Sequence, residues 1–226
     1  KKSYCYYDAM GNLISEIDAN GMEVRMIYSK QGKKLGVWKT GDIHEQYVYD
    51  GNGNCIQVID PEGYATVMSY DAGNRKLSAT NPAGGVIRYG YDENGNLISE
   101  TDPLGHETKY VYDAQGRKIE MCNALGHKTN YSYNSDGRME KVTAPDGSTT
   151  IYTYDAVTGL TTRVEDRTGV TDYTYDVMGR LIKTVYPDGA VTETTYDLMG
   201  RTATETAANG LVTSYTYDAN GNCLTV

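Results

Sequence analysis

A tyrosine stands at positions 7, 28, 49, 70, 91, 112, 133, 154, 175, 196 and 217, so one residue type recurs every 21 residues without a miss. Nothing else in the chain constrains its fold as strongly, because a fixed period of this size means one supersecondary unit repeated in tandem. The residue after each anchor tyrosine is Asp in nine copies, with Ser29 and Asn134 in the other two. Four residues after the anchor stands Gly in nine copies, as at Gly11, Gly53, Gly95, Gly137 and Gly221. A second Gly falls fourteen after it, as at Gly21, Gly63, Gly105 and Gly189, and all five prolines fall twelve after it.

Each copy therefore carries two turn signals and two strand-like runs of about five to seven residues. The first turn reads Tyr-Asp-x-x-Gly-Asn/Arg, as in Tyr91-Asp92-Glu93-Asn94-Gly95-Asn96. Asp opens a type I turn by accepting hydrogen bonds from amides further on, and Gly supplies the positive φ of a bulged loop. The second turn reads Asp-Pro-x-Gly, as in Asp60-Pro61-Glu62-Gly63, where Pro presets φ. A side chain at Gly95 should therefore strain the backbone, whereas Gly90, inside a strand, should tolerate one.

Period-two alternation puts the anchor, the Tyr two before it and the Thr four before it on one face, as with Tyr175, Tyr173 and Thr171. A four-residue loop would bring the residue seven after the anchor onto that face: Ile14, Leu35, Ile56, Leu77, Ile98, Ile119 and Ile182. The opposite face, with Arg88, Lys109, Asn130, Asp172 and Glu193, should be wet. Two copies depart from the pattern. In the Tyr154 copy the glycines slip to Gly159 and Gly169, so one loop gains a residue and the next loses one. In the Tyr28 copy Ser29, Met26 and Gly41 are out of place beside the only Trp, Trp38, which marks either a weak spot or a docking point.

About eleven hairpins joined by short turns predict an all-β fold, a continuous antiparallel meander of roughly 20 to 22 strands that curls because strands twist by about 20° each. Residues 1–226 read as a single tandem array, and a chain that starts at Lys1 in mid-pattern reads as a segment of a larger protein. A net charge of −9 with no clustered basic run argues against nucleic acid as a partner, and there is no apolar run long enough for a membrane span. The four cysteines, Cys5, Cys55, Cys122 and Cys223, lie far apart with no CxxC pair, so four isolated thiols are expected.

An enzyme needs an irregular constellation of groups, and repetition is what this chain offers. Equivalent residues of successive hairpins lie two strands apart, roughly 9–10 Å, which is too far for paired carboxylates in the Asp column or for His106 and His127 to share a metal. Turn formation explains the Asp column, since Ser29 and Asn134 keep that ability without a carboxylate. Loops such as Asp92–Asn96 and Asp218–Asn222 are oxygen-rich, but they lack the spacing and the bidentate Glu of an EF-hand calcium loop. No catalytic, cofactor-binding or metal-binding residue is expected, and the chain reads as a wall element and no enzyme.

The Tyr-Asp-x-x-Gly-Arg/Asn copies, with Pro and Gly further on, resemble those of the Rhs/YD-repeat family over the whole chain. The family includes bacterial Rhs and polymorphic toxins, toxin-complex cage subunits and teneurins. The resemblance implies part of a spiral or hollow β-shell, secreted or at the cell surface, whose partners are further repeats and a C-terminal toxin or effector cargo of the same polypeptide. Bacterial shells usually end in a self-cleaving aspartate segment. Asp102-Pro103-Leu104-Gly105 looks like a scrap of it but stands in phase with the ordinary second turn. A competing expectation is an adhesion module whose Tyr-rich face grips a glycan or protein ligand. Strand edges at the two ends would favour edge-to-edge self-association.

Overall fold

The computed structural model describes residues 2–39 and 42–225. Gly41, one of the out-of-phase residues of the Tyr28 copy, lies outside the described residues. The described residues form 23 strands and no helix. Of these strands 21 belong to one sheet, while Thr216–Tyr217 and Cys223–Thr225 pair as a second, two-stranded one. Contacts cluster into two units, Lys1–Arg117 with Cys122–Leu125, and Lys118–Met121 with Gly126–Val226. In each unit a strand pairs antiparallel with the next in sequence, as Val86–Tyr91 does with Leu97–Thr101 and Val191–Tyr196 with Thr202–Thr206.

The two turn signals fold alike. In the first turn the Asp92 amide donates to the Asn96 carbonyl at 3.0 Å, and the Gly95 amide donates back to the Asp92 carbonyl at 3.1 Å. Asp92 Oδ1 accepts from the amides of Asn94 and Asn96, and Gly95 sits at φ 88°. This is a type I turn closed by a glycine bulge. The second turn repeats it: the Asp60 amide donates to the Tyr64 carbonyl, and Asp60 Oδ1 accepts from Glu62 and Tyr64. The Tyr70 copy lacks the glycine, and Asn74 takes the left-handed position there at φ 63°. Asn pays less than other side chains for that conformation.

One expectation about the faces fails. Tyr91 stands opposite Leu97, but Gly90 stands opposite Ser99 and Tyr89 opposite Glu100, so Ile98 is an extra residue in a bulge. The residues six and nine after the anchor therefore share its face, and the one seven after is turned away from it. The Cγ1 of Ile98 lies 4.0 Å from where a Cβ on Gly90 would stand, on the side away from Tyr89 and Tyr91. Ile14, Leu35, Leu77 and Ile98 are accordingly exposed, each by 37–40%. The same bulge recurs beside Tyr7, Tyr28, Tyr49, Tyr70, Tyr133, Tyr154, Tyr175 and Tyr196. Gly90 also has less room than its place in a strand suggests, because a Cβ there would strike the Ser99 hydroxyl unless it turned aside.

The polar-face expectation holds for Arg88, Lys109, Asn130 and Glu193, which are exposed. Asp172 is half-buried and pairs with Arg163 at 2.7 Å. Along the Tyr face most rings are half-buried rather than enclosed, and among the described residues only Ser15, Gly36, Val37 and Thr184 are buried. These strands form no thick core, and stability must come from ladder bonds and neighbour-to-neighbour packing. In the Tyr154 copy the exchange of loop lengths is as expected: the Asp155 amide reaches on to Leu160, and Asp166 then pairs with Gly169 across two residues. Trp38 folds its ring down over Gly36 of its own strand.

Candidate functional surface: the tyrosine ladder

Within most hairpins four register pairs align, but at several junctions between consecutive hairpins the ladder is shorter. Thr101 pairs with Glu107, Glu100 with Thr108 and Ser99 with Lys109, and there the pairing stops. The same three-pair limit holds between Cys55–Ile59 and Ala65–Tyr70, between Lys76–Thr80 and Val86–Tyr91, and between Leu181–Val185 and Val191–Tyr196. The bulge at residue seven bends the strand away from its next neighbour, so the first-turn end of these junctions is left open.

The anchor tyrosine spans this opening. Tyr112 Oη donates to the Leu97 carbonyl of the preceding hairpin at 2.9 Å. Equivalent bonds run from Tyr28 to Leu13, Tyr70 to Cys55, Tyr91 to Lys76, Tyr133 to Lys118, Tyr154 to Met139, Tyr175 to Thr161, Tyr196 to Leu181 and Tyr217 to Thr202. A phenol thus reaches a carbonyl of the neighbouring strand beyond the last ladder pair. Burial pushes the phenol of Tyr112 up from its ordinary value. Tyr47, two before an anchor, is bonded instead to the Glu45 carboxylate, and that bond pushes it up to about 12.

The residue five after the anchor adds a second link. Arg75 Nε donates to Asp71 Oδ2 at 2.6 Å, its Nη1 donates to the Asp92 carbonyl of the next hairpin at 3.2 Å, and its guanidinium lies 5.1 Å from the Tyr91 ring centre. Arg201 does the same toward Asp218 and Tyr217. Arg180 covers Tyr196 at 4.4 Å, Arg138 covers Tyr154, and Lys33 covers Tyr49. Such cation–π contacts contribute about 0.5–1 kcal/mol at exposed sites. Where this position is Asn, as at Asn12, Asn96 and Asn222, the amide bonds the Asp of its own turn.

The Asp column acts through its turns. Asp8, Asp50, Asp71, Asp92, Asp113, Asp155, Asp176, Asp197 and Asp218 are all held below the ordinary carboxylate value by hydrogen bonds from their own loops. In Asp92 the Asn96 side chain is the largest cause, and in Asp176 it is the Arg180 amide. Ser29 Oγ and Asn134 Oδ1 accept the same backbone amides without charge. Both oxygens of Asp92 face N–H donors, so a calcium ion there would have to displace them. Asp102 bonds His106 Nδ1 at 2.8 Å within one turn. Cys5, Cys55, Cys122 and Cys223 are free thiols, and no metal-holding cluster of His, Cys, Asp and Glu stands among the described residues. No helix among them is long and apolar enough to cross a membrane.

The ladder was only partly legible in the sequence. Its signal was 22 Tyr beside no Phe, which asks for a hydroxyl at every anchor, and a recurrent Arg or Lys where turn chemistry alone would accept any polar residue. A tandem hairpin array stitched by phenols and guanidiniums across open junctions is a wall-building repeat. The chain matches the Teneurin YD-shell model over residues 2–123 and 46–226, and it belongs to that family. It is a segment of a YD shell, all-β and of the Rhs/YD-repeat kind.

Its fold is similar to that of TcdB2–TccC3 without its hypervariable C-terminal region, with a TM-score of 0.75 at 17% identity over 98% of this chain and 15% of that one. TcdB2–TccC3–Cdc42 gives 0.74 at 18% identity over 98% and 15%. A Photorhabdus luminescens Tc holotoxin pore carrying a TccC3 mutation gives 0.61 at 18% identity over 99% and 16%. The chain spans about 15% of the length of the first two structures. No curated protein matches it.

Proposed function

We propose that residues 1–226 form one tandem array within a longer secreted or surface-exposed polypeptide, and that this array is a length of wall around a C-terminal toxin or effector domain of the same polypeptide. The observation that carries this reading is the phenol ladder, which recurs at nine junctions and at each ties a hairpin to its predecessor. Such a device builds a continuous barrier from identical units, and membership of a shell family supports a structural rather than a catalytic role. Further repeats and the enclosed cargo are the partners this reading implies.

The glycan-gripping alternative finds less support, because stacking on sugars needs free ring faces. Tyr49, Tyr91, Tyr154, Tyr196 and Tyr217 each have one face under Lys or Arg. Limited proteolysis of the whole polypeptide tests the wall reading. The domain that follows the array should survive while the array is intact and be cut once Gly95→Val and Gly179→Val break two turns. A following domain that is digested equally fast in both proteins would overturn enclosure.

A further inference from the structure

The Tyr28 copy departs from the repeat at its first turn, and a cavity stands beside that turn. Ser29 takes the place of the usual Asp, and its Oγ accepts from the amides of Gln31 and Lys33 at 3.2 and 3.1 Å. In other turns the basic residue five after the anchor is paired with that Asp, as Arg75 is with Asp71 and Arg180 with Asp176, each at 2.6 Å. Lys33 has no carboxylate in its own turn. Its Nζ donates instead to the Gly53 carbonyl of the next hairpin at 3.0 Å and lies 5.6 Å from the Tyr49 ring centre. An ammonium carries three donors, so Lys33 can serve a further acceptor without giving up that bond.

Toward the first turns, the ladder between the hairpins of Tyr28 and Tyr49 ends at Gly36 and Gln46. Beyond that pair opens a cavity of about 620 Å³, whose lining includes Ser29, Lys33, Leu35, Tyr47, Val48 and Tyr49. Tyr28 and Tyr70 give their phenols to carbonyls of the preceding hairpin, but among the described residues none accepts a hydrogen bond from the Tyr49 phenol. Tyr47 is tied to the Glu45 carboxylate. The two sides of the cavity differ. Tyr47 and Tyr49 belong to the Tyr face, whereas Leu35 and Val48 belong to the opposite one and are 38% and 40% exposed. The cavity therefore runs between the hairpins, polar toward one face and apolar toward the other. Ser29 also changes its charge: Ser29, Lys33 and Asp50 sum to zero, where their counterparts Asp71, Arg75 and Asp92 sum to −1. Both oxygens of Asp50 are already taken by donors of its own loop.

We propose that this cavity is a binding site for a small carboxylate with an apolar body, its head held by the Lys33 ammonium and the Tyr49 phenol and its body lying against Leu35 and Val48. The volume falls within the range of about 300–1,000 Å³ in which a few placed polar groups orient a mostly apolar ligand. A carboxylate answers both free donors at once, and a hydrogen bond to an ionised acceptor is about twice as strong as one between neutral groups. The acid is therefore preferred over the alcohol of the same shape. This makes the irregular Tyr28 copy a docking point, whether or not the array encloses a cargo.

Titration of the full chain, methyl-labelled at Leu and Val, with phenylbutyrate at neutral pH tests the site by nuclear magnetic resonance. The methyl signals of Leu35 and Val48 should shift saturably, with a Kd on the order of millimolar for a ligand of this size. Phenylbutanol should bind about three- to ten-fold more weakly. Lys33→Asn, which installs the residue found at Asn12, Asn54 and Asn96, should weaken phenylbutyrate by a similar factor, and so should Tyr49→Phe, which keeps the ring. Unchanged methyl signals elsewhere report that each variant is folded. Shifts that never saturate, or that spread along the Tyr face without favouring Leu35 and Val48, overturn the site. Equal affinity for the acid and the alcohol overturns the carboxylate assignment, and full affinity in both variants overturns the roles of Lys33 and Tyr49.

Discussion

The phenol oxygen of Tyr112 reaches the Leu97 carbonyl at the point where the backbone ladder between two hairpins has run out. Removing it leaves a half-buried carbonyl without its partner, which costs about 0.5–1.5 kcal/mol for a bond between neutral groups. Tyr112→Phe should therefore lower stability by about 1 kcal/mol in urea titration, whereas Tyr64→Phe, at a 60% exposed second-turn position, should change nothing measurable. Equal effects at the two sites would mean that the anchor phenol acts by packing and not by its bond. The glycines obey a separate rule. At φ 88°, Gly95→Val should cost about 1–3 kcal/mol, while Gly95→Asn should be mild, because Asn74 occupies the same turn position at φ 63°. Thermal melts of the two variants separate these outcomes.

At the scale of the hairpin, one carboxylate organises each first turn. Asp92 accepts two backbone amides and one side-chain donor, and these bonds hold it below its ordinary value. A carboxyl with a depressed folded value adds stability above its unfolded value, and that stability is lost as pH falls through the folded value. Nine turns share this arrangement, so the array should melt at progressively lower temperature below about pH 4, with little change between pH 5 and 8. Asp176→Asn, which copies the Asn134 turn, should lower the melting temperature at pH 7 and weaken the acid dependence. A melting temperature flat from pH 7 to pH 2 would count against this account. Salt should leave much of the effect in place, because most of the partners are short hydrogen bonds within one loop rather than distant charges.

Over the whole molecule, a chain of identical hairpins gains its stability one neighbour at a time. Excising Arg88–Thr108, which is 21 residues, joins Ile87 to Lys109 in phase and keeps every anchor at its spacing. That protein should melt within about 5 °C of the parent, since it loses one repeat and one junction of many. Excising one residue more, through Lys109, joins Ile87 to Tyr110 and turns the Tyr face of that strand outward. It should lose cooperative melting in that region by circular dichroism. If both deletions behave alike, register does not hold the array together. The same logic explains why the Tyr154 copy survives its shifted glycines. One loop lengthens and the next shortens, while Thr161–Asp166 and Gly169–Tyr175 keep their pairing.

Much of this protein could be read from its repeat alone. The period, the two turns, the antiparallel hairpins and the Tyr face depend on local rules: Asp and Gly dictate the turn, and alternation dictates the face. The shifted loops of the Tyr154 copy were legible for the same reason. The bulge that follows most anchors by seven residues was not, because it arises from how the strand bends toward one neighbour and away from the next. That bend moved Ile98 and its equivalents off the Tyr face, opened the junctions, and gave Tyr and Arg their cross-hairpin tasks. Which residue partners which across a junction depends on distances between strands 15 to 17 residues apart in sequence, and only the assembled sheet sets those distances.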